Sequence, residues 1–503
     1  MTTHSRPAPP ASPDIAVAQA GTGAEATGPD TPLVLDLDGS LIRCDLLHET
    51  ALAYVRRNPL RIFVLARWLL EGRAAVKRKL AERVSVDVDF LPVNEELAAF
   101  ATEAKANGRT VVLATAADVF LASAIARRFP FIDKVVASDG VTNIKGAAKA
   151  DKLAELYPDG FAYAGDSAAD LAVWRRAKSV VIVEARGSVE RDARQAGPVE
   201  AVFPRKSVAR AFAKAARPHQ WAKNALVFAP LILGGHLADP AAWVNALIAF
   251  VAISILASTT YLLNDLFDLP EDRLHWSKRH RPLASGRLPV LYAIAALPVG
   301  FLLSFGLGAL IGAIAVVILL AYLLLTVAYS MSLKRQPILD AFTLAVLFTL
   351  RLGLGITAAQ VVVSPWLLVF SMFLFSSLSF AKRHTEIERM ATLGERKVAG
   401  RGYLSSDGPL ILAMGVSSGL AAVMIMVLYL INDAFQAGLY QNSVWLWAFP
   451  PVLFLWIGRI WLLCQRGELN DDPVAFAVRD RASVALGAVM AAAFLAAWFG
   501  LGA

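Results

Sequence analysis

The ten residues NDLFDLPEDR, 264–273, close an apolar run that reaches back to residue 241 without a single charge. A run of that length can cross the hydrocarbon core of a bilayer as a helix. Its polar end is not random. Asn264, Asp268 and Asp272 recur at i, i+4 and i+8. On a helix they form one column, stepping about 6 Å along the axis. Asp265 falls off that face, and Pro270 predicts a kink. Hard oxygen ligands in a column suit magnesium, which binds carboxylates together with phosphate oxygens. A single carboxylate would merely end a span in water. A spaced row followed by Arg273, Lys278, Arg279 and Arg281 is more than an end.

Working outward, similar apolar runs recur down the C-terminal half. The expected spans are 222–238, 241–263, 289–306, 308–329, 337–359, 363–381, 408–431, 444–464 and 481–502, nine in all. The loops 264–288, 330–336, 382–407 and 465–480 hold nearly all the Lys and Arg of this half. The opposite loops GGHLADPAA, TAAQVVVSP and INDAFQAGLYQNS hold none. Positive loops face the cytosol, so the asymmetry sets the topology. The N-terminus is then cytosolic and the C-terminus outside. The chain's 56% hydrophobic content and mean hydropathy of +0.53 exclude an ordinary soluble enzyme. A pI near 9.4 reflects the cationic loops, and no nucleic-acid partner is expected. Cys44 and Cys464 are too far apart to imply a disulfide framework or a zinc site.

Residues 1–30 are rich in Pro, Ala, Gly and Thr and lack an apolar core segment. They read as a disordered tail rather than a secretory signal. Residues 31–198 read as an α/β domain, a Rossmann-like parallel sheet with a small helical cap. PLVLDLD, RTVVLATAA and GFAYAGDS are its strand-then-turn units. The insertion 45–100 is helix-rich, and its stretch RIFVLARWLLEGRAAVKRKL fits a cap better than a membrane-surface helix. Residues 199–221 read as a basic amphipathic linker, and 222–503 as the membrane domain.

The α/β domain carries its own chemistry. Asp36 and Asp38 flank Leu37 at the end of the first strand, and Gly39 lets the chain turn. One carboxylate could attack phosphorus while the other protonates the leaving oxygen and then activates water. Thr115 offers a hydroxyl after VVLAT, and Lys149 a cation in IKGAAKADKL, with Lys145 and Lys152 as competitors. Asp166 and Asp170 in GDSAAD offer further oxygens. This ordered set resembles the haloacid-dehalogenase-like phosphatases over about residues 31–195. The resemblance implies Asp36 as nucleophile, Asp38 as acid/base, and Thr115 and Lys149 as phosphate ligands. It also implies that Asp36, Asp38, Asp166 and Asp170 hold Mg2+. A domain that keeps the fold and only binds phosphate is the alternative.

The membrane half, from about residue 215, resembles the UbiA-type intramembrane prenyltransferase superfamily. Four blocks, RPHQWAKN, DRLHWSKRHRPLASG, YSMSLKRQPILD and FAKRHTEIERM, resemble its decaprenyl-phosphate phosphoribosyltransferase branch. That branch implies phosphoribosyl diphosphate as donor and polyprenyl phosphate as acceptor, with Mg2+ on Asn264, Asp268 and Asp272. Both substrates are anionic. Lys223, Arg273, Lys278, Arg279, Arg281, Lys334, Arg335, Lys382 and Arg383 could meet their phosphates, and arginine forks fit phosphate oxygens. Tyr329, Asp340 and Glu386 flank these cations. Arg351 lies within a span, where an unpaired charge is costly, so it should face a polar cavity, there to bind a phosphate or pair with Asp340.

The reading is a bifunctional enzyme of a bacterial inner membrane with both centres cytosolic. One centre transfers 5-phosphoribose to the lipid, and the other removes the 5-phosphate. Prenyl transfer to an aromatic acceptor, beside a regulatory phosphatase-like domain, is the alternative. The missing second Asp-rich row counts against it. Self-association is left open by the sequence.

Overall fold

The computed structural model describes residues 19–20 and 31–501, apart from 59, 85–86, 139–143, 395–400, 470–472, 474–475 and 478–479. The expected N-terminal tail therefore lies outside the described residues, save Gln19 and Ala20. The chain divides into two compact units. One comprises Met1–Ala215 with Asp265–Ile294, and the other Ala216–Asn264 with Ala295–Ala503.

The first unit is built on a seven-stranded sheet. Its strands are β1 (Gln19–Ala20), β2 (Leu33–Leu35), β3 (Val111–Asp118), β4 (Lys134–Ser138), β5 (Ala162–Gly165), β6 (Ser179–Val183) and β7 (Val199–Phe203). The spatial order is β1-β7-β6-β5-β2-β3-β4. All neighbours are parallel except β1 and β7. β2 is central, with Leu33 in register with Val111 on one side and Ala162 on the other. Period-two alternation divides its residues between two cores. Leu33, Leu35, Val111 and Leu113 fill one, while Val34, Val112, Tyr163 and Trp174 fill the other. A sheet covered on both faces explains why LVL and VVLA are apolar throughout. The sheet continues to Phe203, five residues into the stretch read as linker, and the amphipathic helix proper is Val208–Ala216.

Three helices, Leu46–Arg57, Arg61–Leu70 and Arg73–Ala81, form the insertion between β2 and β3. They close over a small core of Tyr54, Trp68, Val76, Leu80 and Val84. Trp68 is the buried residue of the middle helix, whereas Phe63 and Leu70 are 73% and 90% exposed.

The second unit is helical. Eight helices among the described residues are long and apolar enough to cross a membrane. They run from Pro240–Phe267 to Arg481–Phe499. The ninth expected span, 222–238, is not one of them. It forms a 3-10 stretch, Pro218–Phe228, then a short α-helix, Ala229–Leu233. Pro230 enters at the junction of the two, and Gly234 and Gly235 turn the chain. Apolar content alone overstated the helix because it ignored these breakers.

Candidate functional site

The first cluster gathers at the C-terminal edge of the parallel strands, where open α/β sheets bind ligands. Asp36 follows β2, Thr115 lies on β3, Lys149 on the helix Ala147–Leu156, and Asp166 and Asp170 follow β5. Carboxylate oxygens of Asp36, Asp166 and Asp170 lie within 4.8 Å of one another. Lys149 Nζ donates to Asp36 Oδ1 at 2.6 Å and to the Tyr163 hydroxyl at 2.9 Å. Tyr163 in turn donates to Asp170 Oδ1 at 2.7 Å. Of the three candidate lysines, Lys149 is the one that reaches Asp36. Lys145 is exposed, and Lys152 pairs with Glu155 at the surface.

Backbone geometry holds this crowd together. Gly39 has φ +80°, and a Cβ there would lie 2.5 Å from Asp166 Oδ2. Glycine is required on both counts. Asp38 accepts from the Leu46 amide at 2.9 Å, at the start of the Leu46–Arg57 helix. Thr115 is fully buried and its Oγ1 accepts from the Ala117 amide at 3.0 Å.

The electrostatics follow from burial. Desolvation, with the charge of nearby Asp45, pushes Asp38 up to about 7. Desolvation also raises Asp36 to about 6, against the opposing pull of Lys149. Asp166 rises to about 8, from burial first and then from Asp36 and Asp170. Burial opposes the Lys149 charge, yet Asp36 and Asp170 outweigh it and hold its pKa above the ordinary value. A carboxyl near 7 can carry a proton to a leaving oxygen and return as a base. The donor set, all hard oxygens, fits a divalent cation of the magnesium type.

The second cluster is the aspartate row. The helix Pro240–Phe267 stops at Phe267, Asp268 has non-helical dihedrals, and Leu269–Leu274 resumes. Asn264, Asp268 and Asp272 therefore do not share one unbroken helix, because the chain kinks one turn before Asp272. Arg281 Nη1 donates to Asp272 Oδ2 at 2.6 Å and to Asp265 Oδ1 at 3.1 Å. Asp265, off the expected face, is thus joined to Asp272 through this arginine. Lys278 Nζ stands 3.9 Å from Asp272 Oδ1, a buried oxygen with no hydrogen-bond partner among the described residues. Burial raises the Asp272 pKa despite Arg281. An unmatched buried oxygen beside two cations suits a metal or a further donor. Arg273, expected at the phosphates, is instead held by Glu49. Arg279 is exposed.

A third cluster lies in the helical unit. Asp340 is fully buried. It accepts from the Tyr403 hydroxyl, and Arg401 Nη1 bonds both its Oδ2, at 3.2 Å, and the Tyr329 hydroxyl, at 3.1 Å. Arg383, 1% exposed, donates to Glu386 at 2.5 Å and approaches Asp340 at 3.6 Å. Its Nη2 has no hydrogen-bond partner among the described residues. Such a buried, half-satisfied guanidinium is suited to an incoming anion. Arg351 does not pair with Asp340. It donates to Asn224 Oδ1 at 2.8 Å, the Leu347 carbonyl at 2.7 Å and the Tyr322 hydroxyl at 2.9 Å. Lys223 and Lys382 are partly buried, as is Lys334, while Arg335 is exposed.

Tyr163, Arg401 and Tyr403 were not singled out from the sequence. Tyr163 was visible as the one bulky polar residue of a buried strand, and RGY, 401–403, as a basic-aromatic tripeptide in a cationic loop.

Residues 227–484 match the UbiA prenyltransferase family. The chain belongs to that family. An uncharacterised protein, y4nM, of Sinorhizobium fredii is 39% identical over 469 residues, 93% of this chain and 91% of that one. Nodulation protein NoeC of Azorhizobium caulinodans is 32% identical, covering 56% of this chain and 92% of its own. A decaprenyl-phosphate phosphoribosyltransferase of Mycobacterium tuberculosis is 30% identical, covering 53% of this chain and 87% of its own. This UbiA family member is therefore a multi-pass membrane protein joined to an N-terminal parallel-sheet α/β domain.

Proposed function

We propose that this protein transfers 5-phosphoribose from phosphoribosyl diphosphate to a polyprenyl phosphate and then removes the 5-phosphate. One observation carries the reading. In a chain of the UbiA family, five separately encoded side chains, Asp36, Asp38, Lys149, Asp166 and Asp170, converge at one edge of a parallel sheet. A transferase with a phosphatase-like centre attached suits a product that still carries a phosphate. The relative named decaprenyl-phosphate phosphoribosyltransferase supports the first step.

In that step the lipid phosphate oxygen attacks the anomeric carbon and diphosphate leaves. Asp268 and Asp272, with Asn264, would hold Mg2+, which offsets charge on the departing diphosphate when bound. Arg281 and Lys278 orient the Asp272 carboxylate. Arg383, bracketed by Asp340 and Glu386, offers to a phosphate an Nη2 that meets no partner among the described residues. In the second step Asp36 attacks the 5-phosphate and forms an aspartyl-phosphate. Asp38 protonates the ribose oxygen, then takes a proton from water as the phosphoenzyme is hydrolysed. Lys149 and Thr115 hold phosphate oxygens. Asp166 and Asp170 would hold a second Mg2+. Both centres are assigned to the cytosolic face of a bacterial inner membrane, where the sugar donor is found.

Purified protein in lipid nanodiscs with magnesium, labelled phosphoribosyl diphosphate and polyprenyl phosphate tests both steps. Wild type should give the dephosphorylated ribosyl lipid, Asp36→Asn should stop at the 5-phosphate form, and Asp268→Ala should make neither. Transfer of a prenyl group to an aromatic ring, without any ribosyl lipid, would overturn the assignment.

A further inference from the structure

The Leu46–Arg57 helix touches two centres. Its first amide, Leu46 N, donates to Asp38. One turn on, Glu49 is buried, and both its carboxylate oxygens are taken by Arg273, at 3.0 and 2.7 Å. Seven residues after Glu49, on the same face, Arg56 forks onto both oxygens of Glu271 at 2.9 Å. Arg56 Nη1 also bonds the Phe267 carbonyl at 3.0 Å, at the end of a membrane-crossing helix. These contacts fall at 267, 271 and 273. They bracket Asp268 and Asp272 on both sides. Behind them, Gly286 has φ +71° and presses so closely on the Arg43 carbonyl that a Cβ would collide with it.

Energetics argue for more than adhesion. The Arg56–Glu271 pair is exposed and contributes little. The Glu49–Arg273 pair is only 5% and 7% exposed, and desolvating two ions offsets most of their attraction. An apolar pair would hold the loop as firmly. What a bidentate fork adds is fixed orientation.

We propose that Glu49 and Arg56 are positioning residues for the aspartate row. Through Arg273, Glu271 and the Phe267 carbonyl they set the carboxylates of Asp268 and Asp272 to receive a magnesium-bound diphosphate. This rests on the transferase reading. It adds that transfer depends on a helix of the α/β domain, whatever the state of the phosphatase chemistry.

The test uses the full chain in nanodiscs, in an Asp36→Asn background so that one product forms. Glu49→Gln should raise KM for phosphoribosyl diphosphate about tenfold, a loss of about 1.4 kcal/mol of donor binding, while KM for polyprenyl phosphate stays constant. Arg56→Ala should act in the same direction by about threefold. Calorimetric binding of magnesium pyrophosphate should weaken in step and vanish in Asp268→Ala. Glu49→Gln combined with Arg273→Gln should be no worse than Glu49→Gln alone, since the two act as a unit. Glu190→Gln, which breaks a surface ion pair, should change nothing. Without the Asp36 change, Glu49→Gln should keep phosphatase activity on a small phosphate ester, which certifies its fold. An unchanged donor KM and unchanged pyrophosphate binding in Glu49→Gln would overturn the proposal. If wild type instead uses a prenyl diphosphate, the transferase reading fails, and the same variants decide the positioning role on that donor's KM.

Discussion

Asp166 shows what a cluster of buried acids does to a protein. Its pKa is about 8 in the folded chain against 3.8 for the unperturbed group, and Asp38 is at about 7. A carboxyl raised on folding binds more protons in the native state than in the unfolded one between those values. Its favourable contribution is complete below about 4 and is lost as pH rises toward 8. The melting temperature of metal-free protein should therefore fall from pH 5 to pH 8. Asp166→Asn should flatten that fall, with its largest gain at pH 8, and added magnesium should oppose it by supplying positive charge. A metal-free wild type whose melting temperature is level over that range would refute the account. At this scale the sequence was informative about acids and less so about their neighbours. Asp36, Asp38, Asp166 and Asp170 were legible because strand-end carboxylates repeat in a fixed order. Tyr163 was not, because a buried tyrosine looks like core until its hydroxyl is seen between Lys149 and Asp170.

Among elements, the contact between the helices Pro365–Thr392 and Gly408–Tyr429 depends on two glycines. A Cβ at Gly415 would strike the Trp461 ring and Phe380, and one at Gly419 would strike Ile457 and Ser377. Trp461 Nε1 also donates to Ser377 Oγ, whose own hydroxyl bonds the Gly415 carbonyl. Small residues let helices approach closely in lipid, where hydrophobic burial does not drive them together. Gly415→Val should cost about 1–3 kcal/mol by overpacking and lower thermal stability in detergent. Gly458→Ala, with open space around it, should be neutral. Equal stability of the two variants would show that the contact tolerates separation. Elements are legible in the sequence where an apolar run goes unbroken, as in the helix Pro240–Phe267 and the central strands. At 222–238 apolar composition masks Pro230 and the paired glycines, so the segment is a 3-10 stretch and a short helix instead of one long helix. The kink expected at Pro270 falls two residues earlier, at Asp268, so Asn264 and Asp272 lie on either side of a break. Arg273 is legible only in part, for a different reason. Its partner, Glu49, is 224 positions away, and no local pattern encodes such a pair.

At the scale of the whole molecule, the proposed function joins two centres in one chain. Linking converts a second encounter into an intramolecular one, at an effective concentration in the millimolar range for short connections. The proposed intermediate is a lipid, so once released it would diffuse in the membrane and meet a separate phosphatase only by chance. In one chain its 5-phosphate would meet Asp36 before dilution. Two inactive variants test this directly. On the proposed reading, Asp36→Asn lacks the second step and Asp268→Ala the first, so a mixture would hold one working copy of each centre on different chains. In nanodiscs containing one chain each, the mixture should accumulate the 5-phosphate form and make little final product. In large vesicles holding many chains, it should make final product after a lag that lengthens as protein is diluted in lipid. Wild type should show no lag and no dilution dependence in either setting. Equal time courses for the mixture and wild type in vesicles would mean that the intermediate exchanges freely, and that fusion ensures equal dosage of two enzymes rather than transfer between them.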